Sequence, residues 1–448
     1  MPETDKTVVA QPSKAFFIDM ITRDLGLTDC ILDLIDNAVD HAVARTGADV
    51  MTLLTNGGAQ RTLAGCSVEL SMSENEFVIR DTCGGISIDA ARNSVFLFGN
   101  PTDRGAHGGL SVFGIGMKRA FFKMGRQILI DSHTETEWFT IDINVDVWQA
   151  KGDKDWNFEF QETGSRSVDD GRGPAGTTIR VTRLHDDVRE RFTHASFHNE
   201  LMNRIAASYA LFISAGLTIQ LQGESIRSNL PAFGTYDDHL TPGRKLLQHE
   251  DVEVLIVAGV TPADDKVPHG WYVFCNGRMV LEADRSRVTG WGDALPQWQP
   301  KYRRFVGYTY FRSDDVRRLP WMTTKQGVVF ESSLYQTALA EMVVQARPVI
   351  TFLNNLYPGE QFPEGVLERK LLAQVQSVLI SEVPKTESRF KVDLSKEKSK
   401  PENRLVNISY KKSQKDIDRA RECIRQPGLS AKKIGEYTFE YFLKQECQ

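Results

Sequence analysis

The sequence predicts a mixed α/β protein of the α+β kind, with helices and antiparallel-rich strands following one another without strict alternation. Three observations carry that expectation. A long amphipathic helix stands near the start, over 27–46, and a series of strands with period-two alternation follows it between 66 and 184. The length, 448 residues, is enough for two to four domains with cores of their own. The composition, 41% hydrophobic and 25% charged, is that of a globular chain and excludes wholesale disorder or a fibrous repeat.

The elements read in order as follows. SKAFFIDMITRDL (13–25) places apolar residues at helical spacing behind a serine cap. LTDCILDLIDNAVDHAVART then gives a second helix, capped by Thr28 or Asp29 and ending near Gly47. CSVELSM (66–72), EFVIRD (76–81), QILIDSH (127–133), WFTIDINV (138–145) and TTIRVTRL (177–184) read as strands. The glycine-dotted stretch 98–125 between the second and third has the size of a binding loop or lid. A second unit begins with a helix near 198–212, continues through LTIQLQGESI and strands at 253–261, 270–281 and 305–314, and closes with a helix over 332–356. Residues 364–382 read as helical, 383–403 as a charged linker, and the remainder as strand, helix, a Pro–Gly break and helix.

Composition also narrows the function. No apolar run reaches the roughly 18 residues of a membrane span, and the opening MPETDKTVVAQPSK has no apolar core of a secretory signal. Six scattered cysteines, with no C-x-x-C pair, form neither a disulfide framework nor a zinc site. The expectation is a soluble cytoplasmic protein that makes no membrane contact. Net charge is −5, but residues 381–448 are net basic on an otherwise acidic chain, which hints at an anionic partner for the tail.

Three local patterns carry chemistry. Asp33, Asn37 and Asp40 stand at i, i+4 and i+7, so one helix face presents three polar groups; Asp36 falls off that line. Strand 76–80 runs into Asp81-Thr82-Cys83-Gly84-Gly85, an acid at a strand end followed by glycines that allow close backbone approach. Gly105 to Lys118 runs glycines into a helix start, presenting backbone N–H groups to an anion with Lys118 one turn in. His194 and His198, four residues apart, lack a third ligand and are not read as a metal site.

In order and spacing these patterns resemble the GHKL ATPase superfamily of DNA gyrase B, the ninety-kilodalton heat-shock chaperone, histidine kinases, MutL and the MORC ATPases. Asp33 to Asp40 resembles the N-box, Asp81 to Gly85 the Asp-x-Gly-x-Gly box, Gly109, Gly114 and Gly116 the lid glycines, and Gly176-Thr177-Thr178 the Gly-Thr box. The resemblance implies a Bergerat-type two-layer sandwich that binds ATP with Mg2+. Asn37 would ligate the metal, with Asp40 beside it. Asp81 would take the adenine amine, with Gly85 and Thr177 around it. The lid with Gly109, Gly114, Gly116 and Lys118 would cover the phosphates, and Asp33 would act as general base. Two positions depart from the family pattern. The base is Asp rather than Glu, one methylene shorter, and Cys83 replaces the first glycine of its box.

Further on, Thr324-Lys325-Gln326 resembles the lysine loop that a ribosomal-S5-like transducer domain, as in gyrase, MutL and MORC-like proteins, sends to the γ-phosphate. Lys325 would be catalytic and Gln326 a nucleotide contact. The implied organisation is a tail (1–12), an ATP-binding domain (13–190), a transducer domain (195–357), a helix and charged linker (358–403), and a strand–helix–helix module (404–448) patterned like a ribbon–helix–helix. The expectation is a slow ATPase that dimerises with nucleotide as a clamp, acting on DNA or a protein partner in genome maintenance or antiviral defence. The alternatives are an ATP-dependent scaffold without turnover and a DNA-binding regulator acting through the C-terminal module.

Overall fold

The computed structural model describes residues 12–49, 62–99, 109–111, 114–167, 171–228, 230–262, 267–356, 371–393 and 408–447. It divides into two units, residues 1–395 and 396–448.

The first unit opens with α1 (Lys14–Thr22), whose Ser13 cap accepts from the Phe16 N–H. Next is α2 (Leu27–Thr46), capped by Gly26 rather than by Thr28 or Asp29, and ending at Gly47. The helix starts two or three residues earlier than its polar residues suggest, with Leu27 and Thr28 buried in its first turn. Most of α2 is inside, Ile31, Ile35 and Val39 being fully so, and its flank packs against α3 (Gly116–Met124). Beneath lies a sheet of eight strands, made by β1 (Ser67–Met72), β2 (Glu76–Asp81), β3 (Gly125–His133), β4 (Glu137–Asn144), β5 (Phe160–Ser165), β6 (Gly176–Leu184), β7 (Thr218–Leu221) and β8 (Glu224–Ser225). Their order is β5-β4-β3-β6-β2-β1-β7-β8. Every pair is antiparallel except β1–β7, where the chain returns through a crossover containing α4 (Ala195–Ser208).

That crossover moves a boundary. LTIQLQGESI belongs to the first sheet, so the first layer extends to Ser225 and does not close near 190 as expected. The physical reason is a vacant β1 edge, which β7 fills with the register Ser67↔Thr218 to Leu70↔Leu221.

A second sheet follows, built from β9 (Gly243–His249), β10 (Val252–Val260), β11 (Gly270–Cys275), β12 (Arg278–Asp284) and β13 (Phe305–Arg312) in the order β9-β10-β13-β11-β12. The apparent long strand 270–281 is a hairpin turning at Asn276-Gly277. Val254 to Ala258 of β10 are buried on both faces, and α5 (Ser333–Leu356) packs on this strand with Met342, Val349 and Leu353 inside.

Residues 383–393 are no linker, and within the expected helix 364–382 the stretch 376–378 is a strand, followed by a 3-10 turn at Ile380–Glu382. Gln376–Val378 pairs with Phe233–Thr235, and Lys391–Val392 with Leu240–Thr241. Phe390 packs on Phe352 at 5.7 Å, and Lys245 donates to Glu387 at 2.8 Å. The sparse apolar residues of this stretch, Val383 and Phe390, are the ones that anchor it.

The second unit contains α6 (Gln414–Ile424) and α7 (Ala431–Glu446), capped by Ser413 and Ser430. Residues 408–410 of the expected strand are irregular, and 404–407 lie outside the described residues. No described helix is long and apolar enough to cross a membrane.

Candidate functional site

One end of the site is made by backbone. β2 ends at Asp81, whose Oδ1 accepts the Cys83 N–H at 2.8 Å, and burial raises its carboxyl above the usual range. Gly85 has φ +70°, and a Cβ there would lie 2.1 Å from the His133 carbonyl oxygen. Only glycine lets the turn press so closely onto the end of β3. Gly176 does the same from β6, where a Cβ would lie 1.9 Å from the Asp81 carbonyl oxygen. Ser132 ties the turn to the neighbouring strand, accepting from the Ile86 N–H at 2.8 Å and sharing a 2.9 Å bond with Thr177. Asp81, Gly85 and Thr177, distant in sequence, are thus brought together as expected.

The other end is made by charge. Asp33 and Asp36 are buried on α2, and Asp36 is 0% exposed. Tyr209 hydroxyl and Arg278 Nε donate to Asp36 Oδ1 at 2.7 and 3.0 Å, and Lys325 Nζ donates to Oδ2 at 2.6 Å. Lys325 also reaches Asp33 Oδ1 at 3.3 Å. The second oxygen of Asp33 takes Arg119 twice, through Nε at 2.6 Å and the guanidinium end at 2.5 Å. The chain of groups is therefore Arg119, Asp33, Lys325, Asp36, Arg278, three cations against two acids.

The protonation states follow from the pairing. Burial alone would raise Asp36, but Lys325 and Arg278 outweigh it and its pKa falls. Burial would lower Lys325, but Asp36 and Asp33 outweigh it and the net shift is upward. Both are charged at neutral pH. Lys325 is held there by a tight loop, its N–H donating to Met322 O at 2.8 Å, with φ at +56°. A left-handed lysine is a strained residue, and strain of this kind persists where the surroundings over-determine it. Beside it Gln326 donates to Asp29 across the same seam.

The start of the described lid lies on the remaining α2 residues. Leu110 and Ser111 N–H groups donate to the two Asp40 oxygens at 2.5 and 2.9 Å, and Ser111 hydroxyl donates to Asn37 Oδ1 at 2.8 Å. Burial raises Asp40 to about 6 in spite of those bonds. Gly109 and Gly116 stand where a Cβ would come within 3.2 Å of the Asp40 and Asp33 carboxylates. Gly114 precedes the first turn of α3, with φ +63°. Lys118 is turned away. Its ammonium donates to Val95 O at 2.9 Å beneath Phe98, and burial lowers its pKa to about 8. Residues 100–108, 112 and 113 of the lid lie outside the described residues.

Residues 26–170 match the family described as histidine kinase-, DNA gyrase B- and HSP90-like ATPase. This segment is a GHKL ATPase domain. It contains α2, the Asp81 box and the lid glycines, while Gly176 and Thr177 follow within the same sheet. No curated protein matches the chain significantly.

The chemistry of the donor set bears on the metal. Among the described residues no three His, Cys, Asp or Glu side chains gather into a metal cage. A single carboxamide oxygen, Asn37 Oδ1, faces a hydroxyl that can rotate away. That fits Mg2+, which takes few protein ligands and arrives with phosphates and water.

Sequence reasoning missed Asp36, Arg278, Tyr209 and Arg119. Asp36 was set aside as off the polar face, yet it is the anchor for Lys325. The available signal was a second acid one turn after Asp33 on a helix otherwise so apolar that it had to be buried.

Proposed function

We propose that the protein is an ATP-binding and slowly ATP-hydrolysing switch of the GHKL type, closing as a homodimer when nucleotide is bound. The observation that carries this reading is the seat of Lys325. A lysine from beyond the second sheet lies on the two carboxylates of α2, at the phosphate end of the GHKL domain. Lys325, Arg119 and Arg278 gather there, and a cation at that place suits an incoming phosphate.

Each residue then has a task. Asp81 accepts the adenine amine, with its carboxylate oriented by the Cys83 N–H and its neighbours Gly85 and Thr177 closing the pocket. Asn37 holds Mg2+, which supplies charge neutralisation across the phosphates when bound. Asp40 seats the lid through the Leu110 and Ser111 amides. Lys325 exchanges Asp33 for the γ-phosphate, with Gln326 beside it, and the freed Asp33 oxygen accepts the proton of the attacking water. The hydrolysis is slow because Asp33 is short and shared with Arg119. Lys118 reaches the phosphates only by leaving Val95, so its contact belongs to a closed lid.

Light scattering of wild type and Asn37→Ala, with and without Mg2+ and a non-hydrolysable ATP analogue, tests the switch. The expected result is a doubling of mass with nucleotide in the wild type alone. An unchanging mass in all conditions overturns gating by dimerisation.

A second reading is supported by the same Arg119 contacts. With both oxygens occupied by cations, Asp33 fits an ATP-dependent scaffold without turnover. An Asp33→Ala protein as slow as the wild type decides for it. The net basic C-terminal unit, with Tyr437, Phe439, Tyr441 and Phe442 exposed on α7, supports contact with DNA or a protein partner. A place in genome maintenance or antiviral defence fits such a partner.

A further inference from the structure

Two of the six cysteines face each other across the open end of the β1–β2 hairpin, beside the Asp81 box. The paired register ends at Val68↔Asp81, and one more backbone bond follows it, from the Thr82 N–H to Ser67 O at 3.0 Å. Cys66 and Cys83 are the next residues on the two chains, and their thiols are in hydrogen-bond contact with each other. Thiols in contact from two adjacent chains stand where a disulfide, which bridges Cα atoms roughly 4.4–6.8 Å apart, can form. The Cys83 thiol points back across the hairpin, donating to Ser67 O at 3.7 Å. Both side chains are buried, Cys66 being 3% exposed and Cys83 0%. The thiols are also unlike: a hydrogen bond from Cys83 lowers Cys66 to about 7, and the same contact together with burial pushes Cys83 up. Cys66, the less deeply buried of the two, is the thiol an oxidant meets first, and Cys83 is the resolving one.

We propose that Cys66 and Cys83 are a modification site, a thiol pair that a hydroperoxide closes into a reversible disulfide, and that closure distorts the Asp81 box. With hydrogen peroxide as oxidant, the Cys66 thiolate attacks one oxygen and the O–O bond breaks. Cys66 becomes the sulfenic acid, and the leaving hydroxide takes up the proton that Cys66 had released. The Cys83 sulfur then attacks the Cys66 sulfur, the S–S bond forms, the S–O bond breaks, and the second hydroxide leaves as water with the Cys83 proton. Two thiols lose two electrons, one peroxide gains them, and two waters form.

The lever to the site is short. Cys83 contributes the N–H that orients Asp81 Oδ1, and on its other side Gly84 donates to Ala175 O while Gly85 is wedged against His133. A pull on the Cys83 side chain therefore falls on the Asp81 contact, because the turn beyond it has no room to follow. The effect on nucleotide rests on the ATP reading above; the disulfide itself does not.

The test uses full-length protein carrying Cys423→Ser and Cys447→Ser, which removes the two exposed thiols. It is treated with hydrogen peroxide, and bond formation is mapped by peptide mass spectrometry. Hydrogen exchange is read at residues 81–85, and affinity is read with an ATP analogue. The expected result is a Cys66–Cys83 cross-linked peptide, faster exchange of the Cys83 amide and about tenfold weaker analogue binding, a normal size for a coupling between sites. Dithiothreitol restores all three, and a Cys66→Ser version shows none of the changes. The absence of the cross-link, or a cross-link that leaves Cys83 exchange unaltered, overturns the proposal. If the reduced protein binds no nucleotide, the ATP reading fails, while the mapping and the exchange still decide the thiol pair.

Discussion

The two ends of the site are built on opposite principles. At the Asp81 end, backbone meets backbone. Gly85 and Gly176 bring β2, β3 and β6 together so tightly that no side chain fits between them, and the one acid, Asp81, is oriented by an amide only two residues away. At the Lys325 end, side chains converge from four separate places. Asp33 and Asp36 on α2 meet Arg119 of α3, Tyr209 after α4, Arg278 of β12 and Lys325 of the loop before α5. The first end is fixed chiefly by close backbone contacts, and the second is held by buried ion pairs. The function proposed above calls for both, a fixed grip on the base and charged contacts at the γ-phosphate.

The largest effect should come from breaking the charged end at its centre. Asp36→Ala leaves Arg278 and Lys325 buried without their shared acid and should cost about 3–5 kcal/mol of stability, read by urea unfolding. Replacing the whole set, Asp36→Leu with Arg278→Met and Lys325→Met, should recover most of that loss, because the desolvation cost disappears with the charges. A triple variant as unstable as Asp36→Ala would mean that the network holds the fold and not only the lysine.

Gly85→Ala breaks the other end. The added carbon meets the His133 carbonyl and the position keeps a left-handed backbone, so about 2–3 kcal/mol should be lost, with ATP binding falling alongside. Gly84→Ala, whose Cβ would meet nothing closer than Arg45 at 3.5 Å, should cost less, only the backbone strain of its φ of +120°. Thermal melts of the pair separate crowding from strain.

How far each end was legible follows from the same difference. The Asp81 end stood out because it is local, Asp81 to Gly85 forming one run and Gly176-Thr177 opening the strand that pairs with it. Asn37, Asp40 and Lys325 stood out in the sequence as motif positions. The partners that set their geometry were not, since Arg278 and Asp36 are 242 residues apart and no periodicity links them. The β1–β7 pairing was hidden for a related reason: a parallel crossover returns to an edge that the sequence does not mark. The integration of 376–393 was missed because two buried apolar residues suffice to anchor a charged stretch.

The smallest effect is one of pH. Asp40 titrates near 6 in the folded protein against 3.8 as its ordinary value, so the folded state binds its proton more tightly than the unfolded chain. This group's contribution to stability is present at low pH and is lost as pH rises through 6. Asp40→Asn should flatten the stability profile between pH 4 and 7, measured in urea at several pH values. An unchanged profile would place the titration elsewhere.

The account turns on Lys325 acting at the γ-phosphate. The most direct measurement is ATP hydrolysis at saturating ATP and Mg2+ by wild type and Lys325→Met, with analogue affinity measured on the same samples. The account gives slow turnover in the wild type, a fall of about 100-fold or more in the variant, as for removal of a transition-state contact, and affinity changed by only a few-fold. Equal turnover in both proteins would contradict it, and Lys325 would then be a structural partner of Asp36.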